Sequence, residues 1–175
     1  MEFTLAKMEY IDQMCEITEQ AKAQIRRMGF DQWQKGNPSR EGWIRDIEGG
    51  HAWAAVEGDE VLSLFTFFTT PDPSYGKIDG AWLTGNEAEY AAMHRVCVSD
   101  KCKGQGMAGK MFEKVFELAK EHGMGSVRID THPENLPMQR ALAKAGFVYC
   151  GEIHLVGGAE NGDLRIAFEK VIAED

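Results

Sequence analysis

The 175-residue chain carries 19 Lys and Arg against 28 Asp and Glu, a formal charge of −9 at pH 7, with 43% apolar and 27% charged residues. That balance is globular and long enough to bury a core without staples, which excludes the disordered and fibrous classes. So acidic a chain repels phosphate backbones and anionic lipid, so neither nucleic acid nor a membrane is an expected partner.

Four scattered cysteines (Cys15, Cys97, Cys102, Cys150) form neither a CxxC pair nor a Cys/His metal spacing, so no metal is expected and the thiols read as reduced. The opening MEFTLAKMEY lacks the charged-then-apolar layout of a signal peptide. The most apolar window, Val61 to Phe68, is far short of the roughly 20 residues of a spanning helix. A cytoplasmic protein is expected, folded as a single domain over residues 1–175, because no repeat, low-complexity tract or linker divides it.

In chain order, Phe3 to Lys7 predicts a short strand. Ile11, Met14, Cys15, Ala21, Ile25 and Met28 then recur at helical spacing, with Gly29 as the stop. A second helix starts at Ser39 and holds Trp43, Ile44 and Ile47. Ala52 to Val56 and Val61 to Phe68 read as strands joined by a Gly58-Asp59 turn. Residues 69 to 88 are a long polar loop rich in Pro and Gly, the kind that is functional or mobile. Strands follow at Tyr90 to Val98 and Ser126 to Thr131, on either side of a helix from Gly106 to His122 that ends at Gly123. A short helix, Asn135 to Ala145, stops at Gly146. Phe147 to Ile153 and Leu164 to Val171 close the chain. The order β-α-α-β-β-β-α-β-α-β-β predicts an α/β sandwich built on a mixed sheet.

The most informative stretch is Val98 to Gly109, where a strand meets a long helix through Gly104, Gly106, Ala108 and Gly109. A helix start leaves about four amides without partners and carries partial positive charge, which suits a phosphate. Glycines let phosphate oxygens reach the backbone, and Lys101, Lys103 and Lys110 add cations in an otherwise acidic chain. A tight turn that binds nothing needs one glycine rather than this cluster. Gly104-x-Gly106-x-x-Gly109 also fits a dinucleotide fingerprint, and Asp130 falls about 20 residues on. However, the loop before Gly104 is several residues too long, and the remaining chain ends in an antiparallel pair rather than a doubly wound sheet. A Walker loop is excluded because no Gly-Lys-Ser/Thr follows.

Lys103-x-x-Gly106-x-Ala108 resembles the Arg/Gln-x-x-Gly-x-Gly/Ala motif of the GNAT superfamily of acyl-CoA-dependent N-acyltransferases, with Lys in the first position. Asn135, Met138 and Leu142 ahead of Gly146-Phe147 match its second signature, so the resemblance covers about residues 93 to 151. It implies a mixed, mostly antiparallel sheet of about seven strands flanked by helices, splayed between the fourth strand (Tyr90–Val98) and the fifth (Ser126–Thr131). It further implies acetyl-CoA as co-substrate. The pantetheine would pair with backbone at Val96, Cys97 and Val98, and the pyrophosphate would lie on Lys103, Gly104, Gln105, Gly106, Met107, Ala108 and Gly109. Asn135 would hold the pantetheine arm or a water; read without the resemblance, it is a helix cap.

The implied reaction is attack of an amine on a thioester. An alkyl ammonium has a pKa near ~10, so a base must take its proton, and the leaving thiolate benefits from one. His94 is the first candidate base, on the strand facing the implied cleft; the alternative is a histidine hydrogen-bonded within the sheet. Asp130 and His132 follow on the neighbouring strand end, with Glu89 and His51 more remote. Many relatives hold a tyrosine acid where this chain has Leu142, a departure that leaves Tyr149 or water for that role. The acceptor pocket implied by the resemblance draws on the first two helices and the loop after the third strand, hence Trp33 and Trp82, with Arg26, Arg27, Trp43 and Tyr75 nearby. Trp33 and Trp43 equally suit packing. The expected partner is a small amine, with a homodimer as the default assembly. A CoA-binding sensor without turnover is the alternative, resting on Leu142.

Overall fold

Ile11, Met14, Ile17 and Ile25 recur at helical steps and form the buried face of α1 (Ile11–Met28), which Gly29 closes at φ +90. The Ser39 side chain accepts the Gly42 N–H and so caps α2 (Arg40–Glu48). The structure, a computed structural model, describes residues 1–173. Around these helices run β1 (Glu2–Leu5), β2 (Ala52–Glu57), β3 (Glu60–Phe68), β4 (Asp79–Gly80), β5 (Ala91–Val98), α3 (Met107–Glu121), β6 (Ser126–Thr131), α4 (Leu136–Lys144), β7 (Val148–His154) and β8 (Leu164–Val171). The hydrogen-bonded order is β1-β2-β3-β5-β6-β8-β7-β4, a mostly antiparallel sheet in which β5 and β6 run parallel. The strand absent from the expected seven is β4, two residues of the long loop that pair with β7 at Gly80↔Gly151.

The chain divides into two compact units, Met1–Phe67 with His94–Met111 and Phe68–Met93 with Phe112–Asp175. In the first, α1 and α2 lay Met14, Ile17 and Trp43 against Ala52, Ala54, Val56, Val61 and Leu64. The Trp43 indole donates to Thr18 Oγ1 (2.9 Å), whose hydroxyl donates to Met14 O (2.7 Å), so this buried polar pair is satisfied. Gln13, Gln20 and Gln24 recur at i, i+7 and i+11 and so share one stripe of α1. Gln13 brackets the β2–β3 turn, donating to Asp59 O (2.9 Å) and accepting from Val61 N–H (2.8 Å). Gln20 accepts the Asp100 N–H (2.9 Å) and Gln24 the Lys103 ammonium (3.4 Å), which fixes the chain entering the glycine turn.

In the second unit β6 pairs with β8 from Ser126↔Val171 to Thr131↔Ile166. Arg128 and Glu169 face each other in that register, 1% and 0% exposed, with Nε and Oε2 2.6 Å apart. Glu169 also accepts from Ser126 Oγ (2.9 Å), Thr84 Oγ1 (2.8 Å) and Thr84 N–H (3.0 Å). Arg128 donates to Gly85 O (2.8 Å) and lies between the rings of Trp82 and Tyr90, at 4.3 and 4.1 Å. The polar segment before β5 is thus held by a saturated buried ion pair rather than by a ladder.

Burial alone raises the Glu169 carboxyl, but the bonds from Arg128, Thr84 and Ser126 outweigh it and hold the pKa below the usual carboxylate range. Removing one partner strands a buried charge: Glu169→Leu is expected to cost about 3–5 kcal/mol in chemical denaturation, and Arg128→Met with Glu169→Leu distinctly less. A folded pKa below the unfolded one means that this stabilisation is complete above the unfolded value and is lost as pH falls through the native one. The stability gap between wild type and the double variant should therefore shift against wild type on acidification; a gap independent of pH contradicts the assignment.

Candidate functional site

Gly104 and Gly106 take φ of +74 and +72, and an added Cβ at either would find no heavy atom within 4 Å. The backbone conformation rather than crowding therefore demands glycine here. Gln105 holds the turn between them, its N–H donating to Cys102 O (3.3 Å) and its side-chain amide to Lys101 O (3.1 Å). The bond from Lys110 N–H to Gly106 O (3.3 Å) opens α3. The amides of Met107, Ala108 and Gly109 precede that bond, have no acceptor in their own helix, and form its positive end.

Two of the three lysines hold carboxylate partners. Lys101 Nζ lies 2.7 Å from Glu60 Oε1 and Lys103 Nζ 2.5 Å from Asp100 Oδ1, both exposed and weakly held pairs. Among the described residues, Lys110 alone of the three has no carboxylate partner.

Arg95, within β5, has φ +56; Trp33 (φ +64) is the other non-glycine residue with positive φ among those described. A left-handed arginine costs roughly 1–2 kcal/mol, and α2 supplies what holds it. The guanidinium lies 2.6 Å from Asp46 Oδ2 and 5.6 Å over the Trp43 ring. It also passes Gly42 so closely that a Cβ there would stand 3.0 Å from Nη1. The pairing of β5 with β6 is confined to Ala91↔Val127 and Ala92↔Arg128, ahead of this residue. Beyond it Cys97 faces the first core, 1% exposed, and Val96 and Val98 are half-buried. Burial pushes the Cys97 thiol up to about 12, so that residue offers its backbone and not a nucleophile. Burial also lifts the Asp46 carboxyl, against the lowering effect of Arg95 and then of His51, Arg45 and His94. His94 thus belongs to the charge cluster around Asp46; it is half-buried, and its carbonyl accepts from Thr66 Oγ1 (3.1 Å).

His94, Val96 to Val98, the glycine turn and Trp33 all belong to the first unit; Asp130, Asn135, Tyr149 and Trp82 belong to the second. Asp130 Oδ2 accepts from Tyr75 Oη at 2.7 Å. Burial, then the Asp130 charge, pushes the Tyr75 phenol well above its ordinary value, so the tyrosine keeps its proton in this bond. His132 Nδ1 accepts the Glu134 N–H (3.0 Å), fixing the turn at Pro133. Asn135 Oδ1 accepts the Met138 N–H (3.2 Å), the helix-cap role. Leu142 is fully buried, whereas Tyr149 is 55% exposed with its ring edge-on to Phe168. Trp82 is 4% exposed in the second core, its indole donating to Tyr75 O (3.1 Å) and its face covered by Arg128. Trp33 packs, half-buried, against the first core.

Sequence reasoning missed Arg95 and its α2 partners, because arginine carries no preference for left-handed backbone. It also missed Lys22, although a signal existed: the lysine falls at helical spacing within the buried stripe Met14, Thr18, Ile25 of α1.

The Acetyltransferase (GNAT) family model matches residues 12–147. A GNAT-family acetyltransferase of Streptococcus agalactiae 2603 is 32% identical with a TM-score of 0.87, the alignment covering 99% of this chain and 96% of that one. Two more distant structures share the fold. One is a GNAT-family acetyltransferase of Listeria monocytogenes 4b F2365 (16% identity, TM-score 0.72, 97% and 94% covered). The other is the ribosomal-protein-alanine N-acetyltransferase of Brucella melitensis (13%, 0.64, 98% and 99%). No curated protein matches the chain significantly.

The turn geometry predicts opposite signs for two alanine substitutions. Gly106→Ala should destabilise by about 1–2 kcal/mol through its left-handed φ, whereas Gly109→Ala, helical and uncrowded, should stabilise by about 0.5–1 kcal/mol. Thermal denaturation of both variants checks this; equal shifts would contradict the assigned turn.

Proposed function

This chain belongs to the acetyltransferase (GNAT) family, and we propose that it transfers an acetyl group from acetyl-CoA to a primary amine of a small molecule, an amino acid or a peptide N-terminus, by direct attack in a ternary complex. The observation that carries this reading is the open left-handed turn at Gly104 and Gly106 leading into the bare start of α3. The turn suits the anionic co-substrate: a Cβ at Gly104 or Gly106 would meet no heavy atom within 4 Å, the amides of Met107 to Gly109 have no acceptor in their own helix, and Lys110 opens that helix. Acetyl-CoA supplies the activated acyl group. The amides from Gly104 to Gly109 hold its pyrophosphate, with Lys103 exchanging Asp100 for a phosphate oxygen. The backbone at Val96 to Val98, re-aimed by Arg95, receives the pantetheine.

His94 takes the proton of the incoming amine. His94 stands in the charge cluster around Asp46. Asp130, engaged by Tyr75, supports its loop and is the weaker base candidate. With Leu142 buried, α4 offers no acid, and the departing thiol draws its proton from solvent or Tyr149. No described helix is long and apolar enough to cross a membrane; we place the chain in the cytoplasm with a small amine as partner and a homodimer as the default assembly.

Buried Leu142 also favours a second reading, a CoA-binding sensor without turnover. Calorimetry and free-thiol release over an amine panel separate the two. The enzyme reading predicts acetyl-CoA binding, thiol release with at least one amine, and a loss of affinity above tenfold in Gly106→Glu. It also predicts that His94→Gln lowers kcat by about 10²-fold with the KM for acetyl-CoA unchanged. Binding without thiol release supports the sensor, and absence of binding contradicts both.

A further inference from the structure

We infer that the cavity between α1 and α2 is a recognition site for the carboxylate of a small amine-bearing molecule, of the α-amino-acid class. The cavity, of about 290 Å³, belongs to the first unit and is lined in part by Trp43. That size suits one small molecule rather than a polymer segment. The residue that gives it a chemistry is Lys22, which lines it at 8% exposure. Its ammonium carries three N–H donors, and among the described residues Lys22 makes one ion pair, 3.3 Å to Glu19 Oε1. The Glu19 side chain is 70% exposed, so that pair is a weak surface contact which a better-placed anion can replace. Arg40, also lining the cavity, is bonded to Asp12 Oδ1 at 2.8 Å through one nitrogen of its fork.

The distribution of sign narrows the ligand further. Lys22 is the least exposed charged residue of the lining, whereas Glu19, its exposed partner and also part of the lining, is negative. A simple diamine would place a cation against Lys22, and a phosphate dianion would meet the Glu19 carboxylate. A molecule with one carboxylate directed to Lys22 and an amine directed outward matches both signs.

This inference deepens the acetyltransferase reading and rests on it for the claim that the bound molecule is the acceptor. Matched pairs differing only in the carboxylate test it: L-phenylalanine against phenethylamine, L-methionine against 3-(methylthio)propylamine, and L-lysine against cadaverine. Thiol release from acetyl-CoA is expected at a kcat/KM at least tenfold higher for the carboxylate member of a pair. Lys22→Met, which keeps the apolar stem, should bring the pair within threefold by raising KM, and Lys22→Arg should restore the preference. Acetyl-CoA affinity should be unchanged in both variants, which shows that they fold. Equal or better turnover of the amines lacking carboxylate, or a preference that survives Lys22→Met, overturns the inference. If no amine is turned over, the transferase reading fails separately. Calorimetric titration of the three amino acids then decides the site: binding to wild type that is lost in Lys22→Met supports it, and no binding overturns it.

Discussion

The account depends on one backbone conformation, the left-handed Arg95 in the middle of β5. A strand residue does not adopt φ +56 unless its surroundings over-determine it. Here the determinants are Asp46, at 2.6 Å, and the face of Trp43, both carried by α2. α2 is in turn fixed to α1 through the Trp43–Thr18 hydrogen bond, and α1 reaches the chain before the glycine turn through Gln20 and Gln24. A continuous set of contacts within the first unit therefore positions the two backbone segments on which the acyl-CoA reading rests. The glycine turn has little support of its own, since its residues are exposed; its geometry comes from glycine stereochemistry and from α1.

The second unit solves a different problem. Its segment before β5 has few apolar residues and only the two residues of β4 in a ladder, so ordinary strand pairing cannot order it. Arg128 and Glu169 do so by saturating each other and then binding Thr84 and Gly85, with Trp82 and Tyr90 covering the cation. Burying such a pair is costly unless every donor and acceptor is satisfied, which explains the density of hydrogen bonds around it. Tyr75 and Asp130 extend the same device by one more side chain.

Much of this was legible in the sequence. The bounds of α1, the start of α2 to within one residue, the β6 span and the strand-to-helix glycine turn follow from apolar period and from proline and glycine placement, all local effects. The illegible parts arise from contacts between residues distant in sequence. Nothing in MHRVCV marks Arg95, because its conformation is imposed by α2. Clustered lysines suggested a basic mouth, but Glu60 and Asp100 take two of them, a pairing set by the β2–β3 turn and the 3-10 turn after β5. Trp82 lies in a polar loop, and its burial depends on Arg128, a partner distant in sequence. Arg128 and Glu169 each stand out as charges in apolar strands, yet only the β6–β8 register reveals that they are partners.

The central claim is that the backbone after Arg95 and the amides of the glycine turn together receive acyl-CoA. Amide hydrogen exchange with and without acetyl-CoA tests it most directly. The account predicts that slowed exchange concentrates in Val96 to Val98 and Gly104 to Gly109. Exchange unchanged in both segments, at concentrations where calorimetry shows acetyl-CoA bound, would contradict it.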